Sequence, residues 1–369
     1  MLYFPKILYN NFKYFIWGDI MKKLYILIFF IYFFLSLLLS SCTYYSNNIK
    51  PNDNTSNYSV QDFFTFKGNY KLIYQSQNSN LDDKTIYIDY IDNNKIQLRI
   101  ITPSDIKGQV IEFSNGELKI INTRNEFYYI DNIMSYVNIE PEILLKEPIK
   151  LGNKWLLPNG NERFISGINV DVKTPLGNFT ALEVTTKSNN LTTIDYYALG
   201  LGPIKTIYKY NDTTNEIVID KIENNSKYMQ IVKFYYPNNI SNEIIYTKVK
   251  LYFKTNDLLK NALENYFKYP PFELPKLISD NTKINKVYFN YADHTVYIDF
   301  SKDFSDWLKF NTLYSQKIVQ CIVNTLADYF NTDKVNISIE SSPFILNSLQ
   351  VNSSNIYYVD YKNIKEYKK

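Results

Sequence analysis

One histidine, His294, and two cysteines, Cys42 and Cys321, are all that 369 residues offer for metal ligation, imidazole catalysis or disulfides. A multi-ligand zinc site, a histidine-based triad and a disulfide framework are therefore nearly excluded on supply. Arginine is also scarce, because Arg99, Arg124 and Arg163 are the only arginines among 40 basic residues. Nor is there an excess of one charge: 40 basic residues face 37 acidic ones, a formal net charge of +3. That balance argues against a nucleic-acid protein, which would depend on a massed basic face. What is present is apolar and aromatic: 45% hydrophobic and 17% aromatic residues, too much for wholesale disorder. The length predicts about two domains. The abundance of asparagine, isoleucine and tyrosine follows AT-rich codon usage, so single tyrosines and Asn-x-Ser/Thr triplets carry little weight.

The first informative segment is Met21-Lys22-Lys23, followed by an apolar run from Leu24 to Leu39 and then Ser40-Ser41-Cys42. A positive start, an apolar middle and small residues before a cleavage point are the parts of an export signal. As a helix the run would reach about 24 Å, short of a bilayer core of about 30 Å, which favours a cleaved signal over a permanent span. Leu39, Ser40 and Ser41 ahead of Cys42 resemble the lipobox of bacterial lipoproteins. That resemblance implies cleavage just before Cys42 and a diacylglyceryl group on its sulfur, with acyl chains such as palmitate replacing the apolar run as anchor. Residues 1–20 lie outside this pattern. Trp17-Gly18-Asp19 back-translates to a purine-rich stretch shortly before the Met21 codon, as a ribosome-binding site would, so residues 1–20 are expected to be a mis-assigned start or an extended n-region. Residues 21–41 are then the signal peptide and 42–59 a lipidated tether, polar and broken by Pro51. Removing Met1 to Ser41 takes away four lysines and one aspartate, so the charge of the remainder balances.

Residues 60–225 read as an antiparallel β-rich domain, a curved sheet or partial barrel. Runs 85–91 and 95–101 flank Asp92-Asn93-Asn94, and runs 109–113 and 117–121 flank Ser114-Asn115-Gly116, both hairpin patterns. Runs 163–172, 179–185, 192–197 and 204–210 continue the series. Trp155 reads as a core plug, Pro175 and Gly177 as a turn, and the glycines of Tyr196-Tyr197-Ala198-Leu199-Gly200-Leu201-Gly202 as bends. These three stretches resemble a pattern of bacterial envelope β-domains.

After the polar break Asn224-Asn225-Ser226 the character changes. Strands are expected over 231–236 and 244–253, a helix over 257–267 ended by Pro270-Pro271, and a hairpin over 286–291 and 295–300 around Ala292-Asp293-His294. A long helix follows over 315–330, with Ile318, Ile322, Leu326 and Tyr329 on one line, and then a strand over 335–339. Residues 346–369 are expected to be a C-terminal tail, solvated over the lysine-rich stretch from Lys362 to Lys369.

The order of Lys233-Phe234-Tyr235-Tyr236-Pro237, Leu258-Leu259-Lys260-Asn261-Ala262-Leu263, Leu274-Pro275, Val296-Tyr297-Ile298-Asp299-Phe300, Ile322-Val323-Asn324-Thr325-Leu326 and Val335-Asn336-Ile337-Ser338-Ile339 resembles the GerMN domain of sporulation and germination proteins. The resemblance covers residues 229–345 and implies a small α/β sandwich with a scaffolding role and no enzymatic activity. Two departures stand out. Ser315-Gln316-Lys317 occupies the helix start where the family often has an acid, and Ser341-Ser342-Pro343 the place where a glycine usually follows the final strand.

Asp299, Ser301 and Asp303 read as turn and helix-start residues rather than metal ligands, His294 as a turn residue, and Cys321 as a small buried side chain. The fold class expected is α+β: the β-rich domain followed by the α/β sandwich. The function expected is a lipid-anchored, non-enzymatic envelope scaffold or interaction module in sporulation or germination. Its partners would be the membrane, through the anchor, and envelope or sporulation proteins, with no nucleic acid, cofactor, metal or catalytic residue. The alternative is an envelope carrier or sensor that binds an apolar ligand or cell-wall component in the β-rich domain.

Overall fold

The computed structural model describes residues 58–77, 81–238, 240–241, 243–346 and 355–367. Leu39, Ser40, Ser41 and Cys42 lie outside the described residues, as do the signal and residues 42–57 of the tether.

Alternating apolar residues and tight turns build twelve strands from Lys71 to Glu223. They are β1 (Lys71–Ser76), β2 (Lys84–Ile91), β3 (Lys95–Ile101), β4 (Ile106–Ser114), β5 (Glu117–Arg124), β6 (Glu142–Lys146), β7 (Lys154–Leu156), β8 (Glu162–Thr174), β9 (Gly177–Lys187), β10 (Leu191–Ala198), β11 (Gly202–Tyr210) and β12 (Thr213–Glu223). At the β4–β5 turn both Asn115 (φ 54) and Gly116 (φ 68) are left-handed, the requirement of a two-residue hairpin loop.

The twelve strands form one antiparallel sheet in the order β6-β5-β4-β3-β2-β1-β12-β11-β10-β9-β8-β7. The first and last strands pair with each other, Leu72 opposite Ile222, so the two edges fall on β6 and β7, which are consecutive in the chain. Register shifts at Ile73/Tyr74, Ile88/Tyr90, Tyr196/Tyr197 and Gly167/Val170 mark bulges, which bend strands and raise twist. The sheet thus curls until β6 faces β7, and side chains bridge the remaining gap. Trp155 Nε1 donates to the Ile143 carbonyl at 3.0 Å, Arg163 Nη1 to the same oxygen at 2.8 Å, and Arg163 Nη2 pairs with Glu142 at 2.9 Å. This is the curved sheet expected from the sequence, carried further to a nearly closed barrel.

Ile96, Leu118, Leu145, Ile165, Val184 and Ile219 are among the buried side chains that fill the interior. A 3-10 turn over Val60–Phe63 contributes Val60 and Phe63 to the same core, followed by Phe64. Gly202 (φ +103) lies against Phe64, and a Cβ there would come within 3.3 Å of the ring.

The C-terminal domain opens with the hairpin β13 (Tyr228–Pro237) and β14 (Ile244–Phe253) and continues through helix α1 (Leu259–Lys268). The antiparallel pair β15 (Ile284–Asn290) and β16 (Thr295–Phe300) leads to helices α2 (Asp303–Phe310) and α3 (Ser315–Phe330). The chain then returns as β17 (Lys334–Ile339), parallel to β16. Helix α3 lies in the core: Ile318, Val319, Ile322, Val323, Leu326 and Phe330 are buried, and the Thr325 hydroxyl accepts the Tyr235 N–H at 3.0 Å. Its end is set by Asn331 in the left-handed region (φ 50). Together with the barrel this is the α+β class expected. Among the described residues no helix is long and apolar enough to cross a membrane.

Two elements differ from expectation. Helix α2 begins at Asp303, where a helix start is expected, but no span is assigned to it in the sequence; it is only 8 residues long, and so short a run leaves little periodic signal. The C-terminal tail is not simply solvated. Strand β18 (Ile356–Tyr358) pairs with β17, and β19 (Ile364–Glu366) runs parallel to β14, with Ile244 opposite Ile364. Between them the chain crosses α3. Asn324, fully buried in the middle of that helix, donates to the Asp360 carbonyl at 2.7 Å and accepts the Asp360 N–H at 3.1 Å. Lys365 and Glu366 reach Glu243 and Lys248, so two ion pairs of opposite sense hold this end against β14 and its turn.

Candidate functional site at the domain junction

Polar side chains removed from water must be paired, and the largest fully buried one among the described residues stands between the two domains. Arg99, on β3, is fully buried. Its Nη2 lies 2.8 Å from Asp89 on β2 and 2.8 Å from the Tyr129 carbonyl, and its Nη1 donates to the Phe127 carbonyl. The guanidinium plane is covered on two sides, with the Phe127 and Tyr228 rings each 4.6 Å from its carbon. Burial pushes the Asp89 carboxyl above its ordinary range against the pull of Arg99. Burial also works against the Arg99 cation, but Asp89 outweighs it and the charge is kept.

Arg99 fixes a segment rather than a ligand. Phe127 and Tyr129 belong to the connection between β5 and β6, and the two carbonyls held by Arg99 set its course. Phe127 lies on Gly108 of β4 so closely that a Cβ there would meet the ring at 2.7 Å. Tyr129 is carried into the other domain, where its ring packs 4.9 Å from Phe330 and 5.5 Å from Phe289. A relay of hydrogen bonds runs beside it. The Ile130 N–H donates to the Tyr329 hydroxyl at 2.8 Å, that hydroxyl to Gln230 at 2.7 Å, and Gln230 to the Tyr128 carbonyl at 2.5 Å. The Tyr291 hydroxyl donates to Asp131 at 3.2 Å, and Arg124 lies 3.7 Å from the Tyr291 ring centre.

A second seam lies where β1 stops pairing with β2. Thr255 and Asn256, from the C-terminal domain, take over there. Thr255 Oγ1 donates to the Ile88 carbonyl at 2.7 Å, the Asn256 N–H to the Asp89 carbonyl at 2.9 Å, and the Ile91 N–H to Asn256 Oδ1 at 2.9 Å. Asn69 and Thr255 bond reciprocally, at 2.7 and 3.0 Å. A shallow cleft at this seam is lined by Tyr87, Asp89, Tyr228 and Asp257, among others. Residues Lys50–Lys369 accordingly form one compact unit. The chemistry gathered here is that of joining: Asp89 engaged by Arg99 and Asp131 by Tyr291, tyrosine hydroxyls, and backbone groups paired across the boundary.

The residues singled out in the sequence lie elsewhere. His294 is exposed in the β15–β16 turn at φ 53. Cys321 is fully buried, and burial pushes its thiol well up. Trp155 is buried at the barrel seam. Asp299 does not meet Asp303: it accepts from Ser338, Asn285 and the Ser341 N–H, while Asp303 takes the Ser301 hydroxyl. Burial raises the Asp299 carboxyl, but these bonds outweigh it and hold the group below its ordinary range. Among the described residues no three His, Cys, Asp or Glu side chains are placed to hold a metal. The junction was missed, although one signal pointed to it. In a chain that writes nearly every basic residue as lysine, the three arginines mark places that use a planar cation: Arg99 and Arg163 as hydrogen-bonding forks at the junction and the seam, and Arg124 stacked on Tyr291.

Residues 233–344 match the family model described as Germane, sporulation and spore germination. The chain carries a C-terminal Germane domain. No curated protein matches the chain. Among solved structures, a protein from Bacteroides fragilis described as exported, with a YmcC-like fold, is 11% identical, covering 44% of this chain and 98% of its own, at a TM-score of 0.30. A protein from Parabacteroides distasonis described as a lipoprotein is 10% identical, with the same coverage of both chains and a TM-score of 0.27. The tandem GerMN domains of the sporulation protein GerM from Bacillus subtilis are 20% identical over 37% of this chain and 45% of theirs, at a TM-score of 0.26. At these scores the solved structures carry no argument, and the assignment of the Germane domain rests on the family model. Within that domain the expected departure from glycine after the last long strand has a structural counterpart. Glu340 (φ 48) and Ser341 (φ 62) both sit in the left-handed region, and the bond from the Ser341 N–H to Asp299 holds that turn.

Proposed function

We propose that this chain is a lipid-anchored protein of the bacterial cell envelope, in which the barrel holds the Germane domain in a fixed attitude for contacts with protein partners in spore formation or germination. The observation that carries the reading is the family match over residues 233–344. The export-type run and the lipobox-like Leu39-Ser40-Ser41-Cys42 support the anchor. The junction built on Arg99 supports the fixed attitude: a buried ion pair penalises any arrangement that separates its partners. The role is that of an interaction module without catalysis. In-cell crosslinking during sporulation, followed by identification of the captured proteins, tests it. Capture of envelope proteins is the expected result; expression confined to vegetative growth, or recovery of small ligands alone, contradicts it. Mass spectrometry of the N-terminal peptide tests the anchor separately. A diacylglyceryl thioether on Cys42 is expected, and an unmodified Cys42 contradicts it.

A further inference from the structure

The connection between α2 and α3 breaks the rule that large apolar side chains find cover. Phe310 and Leu313 are each 92% exposed, and Tyr314 beside them is 44% exposed. The loop is shaped from within: Asn311 Nδ2 donates to the Trp307 carbonyl at 2.9 Å, the Tyr314 N–H to the Asn311 carbonyl at 2.9 Å, and the Ser315 hydroxyl to the Thr312 carbonyl at 3.0 Å. It therefore holds its apolar side chains out on a bonded frame. Lys309 and Lys317 flank them; Lys309 pairs with Asp306 at 3.2 Å, and beyond Asp306 no acidic residue occurs through Ala327.

We infer that residues 310–314 insert into the headgroup region of an anionic lipid bilayer, giving the Germane domain a membrane contact of its own. The inference rests on the envelope reading above, because a chain tethered through some seventeen residues keeps its folded part within a few tens of ångströms of the bilayer. Three observations favour lipid over a protein groove. The feature is a tip and not a face; two or three side chains supply only a small part of the roughly 800 Å² per partner that a specific protein interface buries. A fluid interface moulds around a tip without needing a complementary pocket. The charged side chains beside the tip are Lys309 and Lys317, with Asp306 behind the tip on Lys309, a net basic balance that suits anionic headgroups, and lysine stems let the charge stay at headgroup level while the neighbours go deeper. As a second attachment beside the lipid, the loop would fix which way the Germane domain faces.

The test uses the full chain in vesicles of phosphatidylglycerol and phosphatidylethanolamine, labelled at Leu313→Cys with an environment-sensitive fluorophore. Nitroxide lipids report its depth. Quenching by shallow acyl-chain nitroxides with a blue-shifted emission is expected at 313, and none at a Lys362→Cys control, since Lys362 is exposed on another segment. Phe310→Ser is expected to lower the inserted fraction about tenfold, and exchanging phosphatidylglycerol for phosphatidylcholine to lower it further. Both substituted side chains are almost wholly exposed, so the fold does not depend on them. A label at 313 that stays in water overturns the inference, as does protection that follows protein concentration without lipid, or that appears only when another envelope protein is added. The N-terminal peptide from the same sample is weighed: quenching at 313 with an unmodified Cys42 removes the anchor and leaves this inference standing.

Discussion

The barrel and the Germane domain differ in how they hold their partly or wholly buried carboxylates. In the barrel, burial pushes Asp89, Asp131 and Asp195 above their ordinary range. In the Germane domain burial also pushes Glu264 and Asp299 upward, but hydrogen bonds outweigh it and hold both below their ordinary range. Glu264 takes Lys268, the Ile284 N–H and Lys283; Asp299 takes Ser338, Asn285 and the Ser341 N–H. The contrast follows from architecture. A sheet curled on itself encloses polar groups that begin on a strand face, whereas a layered α/β domain has loops whose ends need tying, and a carboxylate facing several donors ties them well. The raised carboxylates of the barrel lie in its interior and at its junction, and the depressed ones of the Germane domain tie segment ends together.

The sharpest way to break the contrast is at the junction. Arg99→Met leaves Asp89 buried without its partner and frees the Phe127 and Tyr129 carbonyls, so about 3–5 kcal/mol of stability is expected to be lost in urea titrations. Restoring part of it with Asp89→Asn in the same chain would show that the unpaired charge is the cause. On the Germane side, Asn324→Leu strips the Asp360 backbone of both partners at the centre of α3, with an expected loss of about 1–3 kcal/mol. Unchanged stability there would mean that the C-terminal segment does not depend on the helix. Trp155→Phe keeps most of the barrel's apolar plug but removes the bond to Ile143 that spans β6 and β7. A loss of about 0.5–1.5 kcal/mol is expected, with faster amide exchange in those two strands. Ser341→Gly should act in the other direction and stabilise by about 0.5–1 kcal/mol, because the left-handed backbone costs a glycine nothing.

The smallest effect is on pH, and it has a sign for each region. A carboxylate depressed in the folded state, such as Glu264 or Asp299, contributes stability above its unfolded value that is lost as pH falls through its folded value. A raised one, such as Asp89, Asp131 or Asp195, contributes stability below its unfolded value that is lost as pH rises through its folded value. Between pH 6 and pH 3, amide protection corrected for intrinsic exchange should therefore fall around Glu264–Ile284 and Asp299–Ser341. It should hold or rise in β2, β3 and β10.

Local structure was legible where sequence neighbours decide it. The Asn115-Gly116 turn, the β2–β3 hairpin and the long helix α3 depend on short-range pattern and turn chemistry, and each can be read directly. Closure of the barrel was not legible, because β1 and β12 are mates separated by most of the domain and neither run announces the other. The C-terminal segment misled for a related reason: Lys365 and Glu366 read as solvated until Glu243 and Lys248, more than a hundred residues earlier, come beside them. The junction could have been suspected from Arg99 alone, yet a scarce residue type says that a planar cation is needed without saying what surrounds it. The exposed loop at Phe310 and Leu313 has an apolar sequence that looks like ordinary core.

What most directly tests a barrel and a Germane domain locked into one body is calorimetric unfolding of the full chain, with and without Arg99→Met. A single transition is expected for the unaltered chain, separating into two when Arg99 is lost. Two transitions in the unaltered chain, indifferent to that substitution, would contradict it.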